Sequence, residues 1–228
     1  MTLKIIKKSA EELQVFVDWA KGVLQKDFVV ESVPHGDQSN VLKLCSEDGN
    51  YFLKIAPALE KEKVRLEWLS GRVSVPRVIG FSHLEGQDVL LLSEIVGENL
   101  ARLKKEWNAT DVVRSLADAV KAFHAIDITG CPFGDGGSGK VLVHGDACLP
   151  NLIFKDRTFV GYIDLGGVAV DSPDVDLAAG VWTLQHNLGP GYGKEFLERY
   201  GIADVTDDTV EMLRQRYEGM IEAWGFSK

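Results

Sequence analysis

The rhythm of apolar and polar positions changes part-way along the chain. In the first ninety-odd residues it is mostly short runs with strand character, and in the remainder it is mostly helical spacing. Ser9 and Glu12 form a capping box that predicts a helix with Val15, Trp19 and Val23 on one side. Residues 28–33, 40–45 and 50–55 predict three strands, the last two joined through Ser46-Glu47-Asp48-Gly49, with Asp48-Gly49 as the hairpin signal. A charged helix is predicted from Leu59, with Val64, Trp68 and Leu69 as its buried stripe and Gly71 as its stop. Residues 75–81 and 88–94 predict two further strands.

The second half predicts helices around a small strand pair. Val113, Leu116, Ala117, Val120, Phe123 and His124 place one amphipathic helix over 110–126. Residues 151–154 and 159–164 predict short strands around the turn Lys155-Asp156-Arg157-Thr158. Val210, Leu213, Tyr217, Ile221 and Trp224 predict a last helix, opened by Thr206 or Asp207. A strand-rich first lobe and a helix-rich second lobe predict a ligand cleft between them.

Composition narrows the class. A chain of 228 residues suits one large domain or two small lobes, and it shows no internal repeat and no low-complexity tract. The longest apolar runs, such as 89–92, are far too short to cross a bilayer, and the N-terminus has no secretory pattern. Cys45, Cys131 and Cys148 are odd in number and widely spaced, which argues against a disulfide framework or a zinc site and predicts a reducing cytoplasm. A net charge of −9 makes nucleic acid a poor partner. It is read as solubility or as attraction for a cationic substrate.

The sharpest chemical signal is His144-Gly145-Asp146-Ala147-Cys148-Leu149-Pro150-Asn151, followed by Ile163-Asp164-Leu165-Gly166. Phosphoryl transfer needs a carboxylate to orient a hydroxyl, and oxygen ligands for the magnesium that bridges the phosphates. Protein kinases supply these from His-Arg-Asp-x-x-x-x-Asn and Asp-Phe-Gly. Here Asp146 to Asn151 keeps the same interval, and Asp164-Leu165-Gly166 stands for the second element. His144 reads as a brace for the loop.

These residues resemble those of the aminoglycoside phosphotransferases, particularly the 3′-hydroxyl kinases. The likeness extends to Glu60-Lys61-Glu62-Lys63, Trp68-Leu69, Val75-Pro76-Arg77-Val78, Leu92-Ser93-Glu94 and Cys131-Pro132-Phe133, in the same order. It implies an α+β, protein-kinase-like two-lobed fold, with a small antiparallel-sheet N-lobe and a mainly helical C-lobe. Residues 1–95 would be the nucleotide-binding lobe and 96–228 the catalytic and acceptor-binding lobe. The resemblance implies that Lys54 grips the α- and β-phosphates, positioned by Glu62, with Glu60 as the alternative partner. The segment Pro34-His35-Gly36-Asp37-Gln38-Ser39-Asn40 would lie over the phosphates, Ser39 among its donors. Backbone groups of Ser93 and Ile95 would meet the base, and Phe52 would stack on it or serve as a core residue. Asp146 would be the catalytic carboxylate, and Asn151 and Asp164 would hold Mg2+.

The chain also departs from that family. A glycine-rich bridge over 134–139 stands where relatives carry a long helical segment that helps cover the acceptor, so the C-terminal lobe is shortened. That bridge lacks the Gly-Lys-Ser/Thr ending of a phosphate loop and reads as a connector. Asp171, Asp174, Glu195 and Glu198 read as acidic surface or as receivers for substrate ammonium groups, and Asp176 as a helix cap or loop brace. The expectation is a small-molecule kinase that moves the γ-phosphate of ATP, or GTP, to a hydroxyl of a small cationic acceptor, an aminoglycoside. The alternatives are a kinase of another amino-alcohol or antibiotic, and a nucleotide-binding pseudokinase or interaction module.

Overall fold

Strand pairing in the first half begins with a tight turn. The computed structural model describes residues 10–32, 39–134 and 137–223. Strands β2 (Asn40–Ser46) and β3 (Gly49–Ala56) pair antiparallel from Ser46 opposite Gly49. The turn residues are therefore Glu47 and Asp48, not Asp48 and Gly49; Gly49 opens the returning strand at φ 135°, a backbone state that side chains disfavour. Strands β1 (Val29–Ser32), β4 (Val78–Leu84) and β5 (Gln87–Ser93) complete an antiparallel sheet in the order β1-β2-β3-β5-β4.

Helix α1 (Ala10–Leu24) covers one face of that sheet. Phe16 and Ala20 join Leu42, Leu44, Leu53, Ile55, Val89 and Leu91 in a core, where each large buried side chain contributes about 1.5–3 kcal/mol. The stripe predicted from Val15 and Val23 is corrected: they are 39% and 38% exposed. Apolar residues stand on both sides of this helix, and the larger Phe16 takes the core. Ser9, the predicted cap, lies outside the described residues, as do Trp224 and the loop residues 34–38.

Helix α2 (Glu60–Leu69) also turns a different face inward. Glu62, Leu66 and Leu69 are buried, whereas Val64 is exposed and Trp68 half-buried. No side chain of its own caps its start; Asp88 Oδ2 accepts the Leu59 N–H at 2.8 Å instead. Burial pushes the Asp88 carboxyl up, but His83 and the Leu59 and Glu60 amides outweigh it and hold the group below its ordinary value.

By backbone contacts the chain divides into two units, Met1–Ser70 with Pro76–Ile95, and Gly71–Val75 with Val96–Lys228. The second unit gathers around helices α4 (Ala109–His124) and α5 (Asp174–Leu188), with short α3 (Leu100–Leu103) before them, and α6 (Tyr192–Tyr200) and α7 (Asp207–Ala223) after them. The α4 stripe is as expected, with Val113, Leu116, Ala117, Val120, Phe123 and His124 all buried. Thr206 opens α7, its Oγ1 accepting the Thr209 N–H at 3.2 Å.

Small ribbons carry the loops. Strands β6 (Glu98–Asn99), β8 (Leu152–Lys155) and β9 (Thr158–Tyr162) form one, and β7 (Val141–Val143) pairs with β10 (Ala169–Asp171). Asn151 and Asp164, read as strand ends, lie instead at 3-10 turns beside them: Asn151 closes Leu149–Asn151, and Asp164 stands immediately before Leu165–Gly167. Tyr162 is anchored by its hydroxyl, which donates to Ala119 O at 2.7 Å. Phe133 O accepts the Val170 N–H at 2.9 Å, so the start of the glycine-rich bridge is pinned to β10.

The α5–α6 contact depends on a missing side chain. A Cβ on Gly180 would sit 2.4 Å from Cζ of the fully buried Phe196. Gly→Ala in a helix normally stabilises by about 1 kcal/mol. Gly180→Ala here is expected to destabilise by about 1–3 kcal/mol, read as a lower denaturant midpoint at unchanged slope.

Candidate active site

In the first unit the alternation of β3 sorts the candidates. Leu53 and Ile55 face the core, so Phe52 and Lys54 share the opposite face. Lys54 pairs across the strands with Val41 and Leu90, and Phe52 with Lys43 and Leu92. Phe52 is thus half-exposed on the second face, not part of the core, with Lys43 Nζ 5.9 Å from its ring centre.

Lys54 Nζ donates to both Glu62 carboxylate oxygens at 2.8 Å. The two side chains are only 15% and 7% exposed, so each charge depends on the other for its solvation. Glu60, the alternative partner, is exposed two residues earlier, on another side of the helix. The Asp88 cap fixes where α2 starts, and so where Glu62 stands.

The end of β5 is arranged by its neighbours. The Ser93 N–H donates to Arg77 O at 2.9 Å, and Ser93 Oγ accepts the Arg77 N–H at 2.9 Å. The hydroxyl thus takes an amide that would otherwise face the strand backbone, and Ser93's expected part in base binding narrows to its carbonyl. Glu94 is held by Asn50 at 2.8 Å and by Lys43 at 2.9 Å, which directs the chain into half-buried Ile95. Ser39 stands half-buried immediately before β2.

In the second unit a buried carboxylate organises the motif loop. Asp176, fully buried near the start of α5, accepts the His144 N–H at 2.6 Å and the Gly145 N–H at 2.9 Å. Its Oδ2 also lies 3.0 Å from His124 Nε2, and His124 Nδ1 lies 2.8 Å from the Tyr200 hydroxyl. His144 is a brace, as its sequence context suggested. Its Nδ1 accepts the Asp146 N–H at 3.3 Å, which puts the proton on Nε2, 3.1 Å from Ile163 O.

Asp146 is held through both oxygens. Asn151 Nδ2 donates to Asp146 Oδ2 at 3.0 Å and to Asp146 O at 2.9 Å. The Tyr217 hydroxyl donates to Oδ1 at 2.6 Å. With its amide nitrogen committed to Asp146, Asn151 presents Oδ1 as its remaining ligand atom.

Asp164 is brought alongside by backbone. The Ile163 N–H donates to Asn151 O at 3.0 Å. The next residue, Asp164, takes a left-handed conformation (φ 60°, ψ 60°) with its side chain exposed. The loops meet at two glycines: a Cβ on Gly145, itself at φ 86°, would fall 2.4 Å from Gly167 O. Asp146, Asn151 and Asp164 therefore come from two loops in direct backbone contact.

Among the described residues no group of three or more His, Cys, Asp or Glu side chains is placed to hold a metal. One amide oxygen and one exposed carboxylate do fit Mg2+, which commonly takes few protein ligands and fills the rest with phosphate and water. No helix among those residues is long and apolar enough to cross a membrane. Cys45, Cys131 and Cys148 are free thiols. Burial, then the nearby Asp146, pushes the Cys148 thiol well up. Tyr217 and His124 were read from sequence only as members of apolar helical stripes, and no local motif marks either as polar partners of the loop.

The phosphotransferase enzyme family APH matches residues 30–138 and 135–213. An aminoglycoside 3'-phosphotransferase from Niallia circulans is 26% identical over 208 residues, 70% of this chain and 79% of that one. A probable aminoglycoside 3'-phosphotransferase from Lactococcus lactis is 25% identical over 88% of this chain and 92% of its own length. Among solved structures, aminoglycoside phosphotransferase APH(3'')-Id from Streptomyces rimosus, in complex with ADP and streptomycin, superposes with a TM-score of 0.71 at 24% identity, over 88% of this chain and 96% of that one. Aminoglycoside-3'-phosphotransferase of type VIII gives a TM-score of 0.72 at 21% identity over 90% and 98%. These structural likenesses establish the α+β, protein-kinase-like fold. With most of its length matched, the chain belongs to the phosphotransferase enzyme family and is itself a phosphotransferase.

Proposed function

We propose that this chain transfers the γ-phosphate of a magnesium-bound nucleotide, ATP or alternatively GTP, to a hydroxyl group of an aminoglycoside. The observation that carries the reading is the Asp146 carboxylate held by Asn151 Nδ2 at 3.0 Å, which leaves the Asn151 oxygen as a ligand atom next to it. Asp146 orients the acceptor hydroxyl and takes its proton as the new O–P bond forms and the bond from the γ-phosphorus to the bridging oxygen breaks, releasing the nucleoside diphosphate. Asn151 and Asp164 would hold Mg2+, which when bound neutralises charge on the phosphate oxygens.

The first unit, taken as the nucleotide-binding lobe within 1–95, would supply Lys54 to the α- and β-phosphates, kept in place by Glu62. Ser39 would donate to phosphate, Phe52 would stack on the base, and the Ser93 carbonyl and Ile95 N–H would meet its edge. Residues 96–228 would form the catalytic and acceptor-binding lobe. The acceptor reading is supported by the names of the relatives, by the streptomycin in the Streptomyces rimosus structure, and by a net charge of −9 that favours a cationic ligand. Free thiols and a nucleotide substrate favour the cytoplasm as its place of work.

Nucleotide consumption measured with ATP and with GTP across a panel of amino-sugars is expected to depend on the acceptor. A panel without such turnover would remove the acceptor assignment. Asp146→Ala is expected to lower kcat by about 10³-fold or more while nucleotide binding, followed calorimetrically, stays close to wild type. Lys54→Ala is expected to weaken nucleotide binding by about 10-fold. Wild-type affinity in that variant would exclude Lys54 from the phosphates.

A further inference from the structure

The transfer scheme makes no use of Tyr217, yet its hydroxyl is 2.6 Å from Asp146 Oδ1. The residue comes from α7, far along the chain, and is 3% exposed. An ionised carboxylate can only accept, so the phenol donates. The phenol oxygen also lies 3.3 Å from Cys148 Sγ, inside the motif loop. Burial, then Cys148 and Asp146, drives the Tyr217 phenol far up, and burial does the same to the Cys148 thiol. Both therefore keep their protons at neutral pH. The ring itself is lodged against Trp182, with centroids 5.3 Å apart.

Asn151 alone grips one oxygen of Asp146 and leaves the carboxylate free to turn about its own axis. A second donor on the other oxygen removes that freedom. Building on the phosphotransfer reading, we propose that Tyr217 is a positioning residue for Asp146: its hydroxyl fixes the carboxylate plane and leaves an Oδ1 lone pair for the acceptor hydroxyl. The last helix thereby acts on the chemistry without touching the phosphate.

Tyr217→Phe keeps the ring and removes only the donor. Its kcat is expected to fall about 10- to 100-fold. KM for the nucleotide should stay within about twofold, and the melting temperature should be nearly unchanged. A folded variant with wild-type kcat would overturn the proposal. So would a rise in nucleotide KM that accounts for the whole loss, the signature of a general structural defect. A second measurement needs no substrate. In tyrosine-labelled protein the Tyr217 hydroxyl proton should give a slowly exchanging, downfield NMR signal that is lost in Tyr217→Phe and moves upfield in Asp146→Ala. Its absence from the wild type, or its indifference to Asp146→Ala, would overturn the pairing. If the amino-sugar panel shows no turnover, the acceptor reading fails while the resonance still decides the role of Tyr217.

Discussion

The contact between Asp176 and the loop at 144–145 is the constraint on which the second unit depends. A carboxylate with no exposure is tolerable only if its lone pairs are matched by donors. Asp176 finds them in two successive backbone amides and the ring of His124. The requirement runs both ways, because the amides at 144 and 145 are buried and need an acceptor. His124 passes the connection on to Tyr200, so α4, α5 and α6 all bear on one short stretch of backbone. The loop is held by main-chain hydrogen bonds, which leaves the Asp146 side chain available for chemistry.

The first unit meets a similar demand by different means. Lys54 is nearly buried on a strand and would be costly there without Glu62. Glu62 stands at the right height because a strand residue, Asp88, receives the first amides of its helix. In both units a charged group is prepared in advance by a partner that no substrate has to displace. Such preorganisation lets electrostatic stabilisation act without rearrangement during the reaction.

The motif residues were legible in the sequence because their spacing is local: a loop followed by a hairpin brings Asp146, Asn151 and Asp164 onto neighbouring backbone. The strands of the first sheet were legible from alternation. Which face of a helix is buried was less so. Helix α1 carries apolar residues on both sides, and the pattern cannot tell that Phe16, not Val15, fills the core. Helix α2 turns a glutamate inward, which hydrophobic periodicity reads as an exposed position. Helix α6 was not foreseen, since only Phe196 and Leu197 mark its apolar side strongly. Tyr217 fits an apolar stripe equally well with or without its hydroxyl, and only the fold reveals what that hydroxyl meets.

The touching backbones at Gly145 and Gly167 bear on how such an enzyme diversifies. Gly145 has no room for a side chain, and one on Gly167 would press on the backbone of Gly145 and His144 at 3.3 Å, so change at either point is constrained by the other loop. Exposed carboxylates such as Asp171 and Glu198 carry no comparable steric restriction. Sequence drift would then collect among exposed side chains while the junction of the two loops stays frozen by geometry, so that a phosphotransferase lineage keeps its reaction as its surface changes.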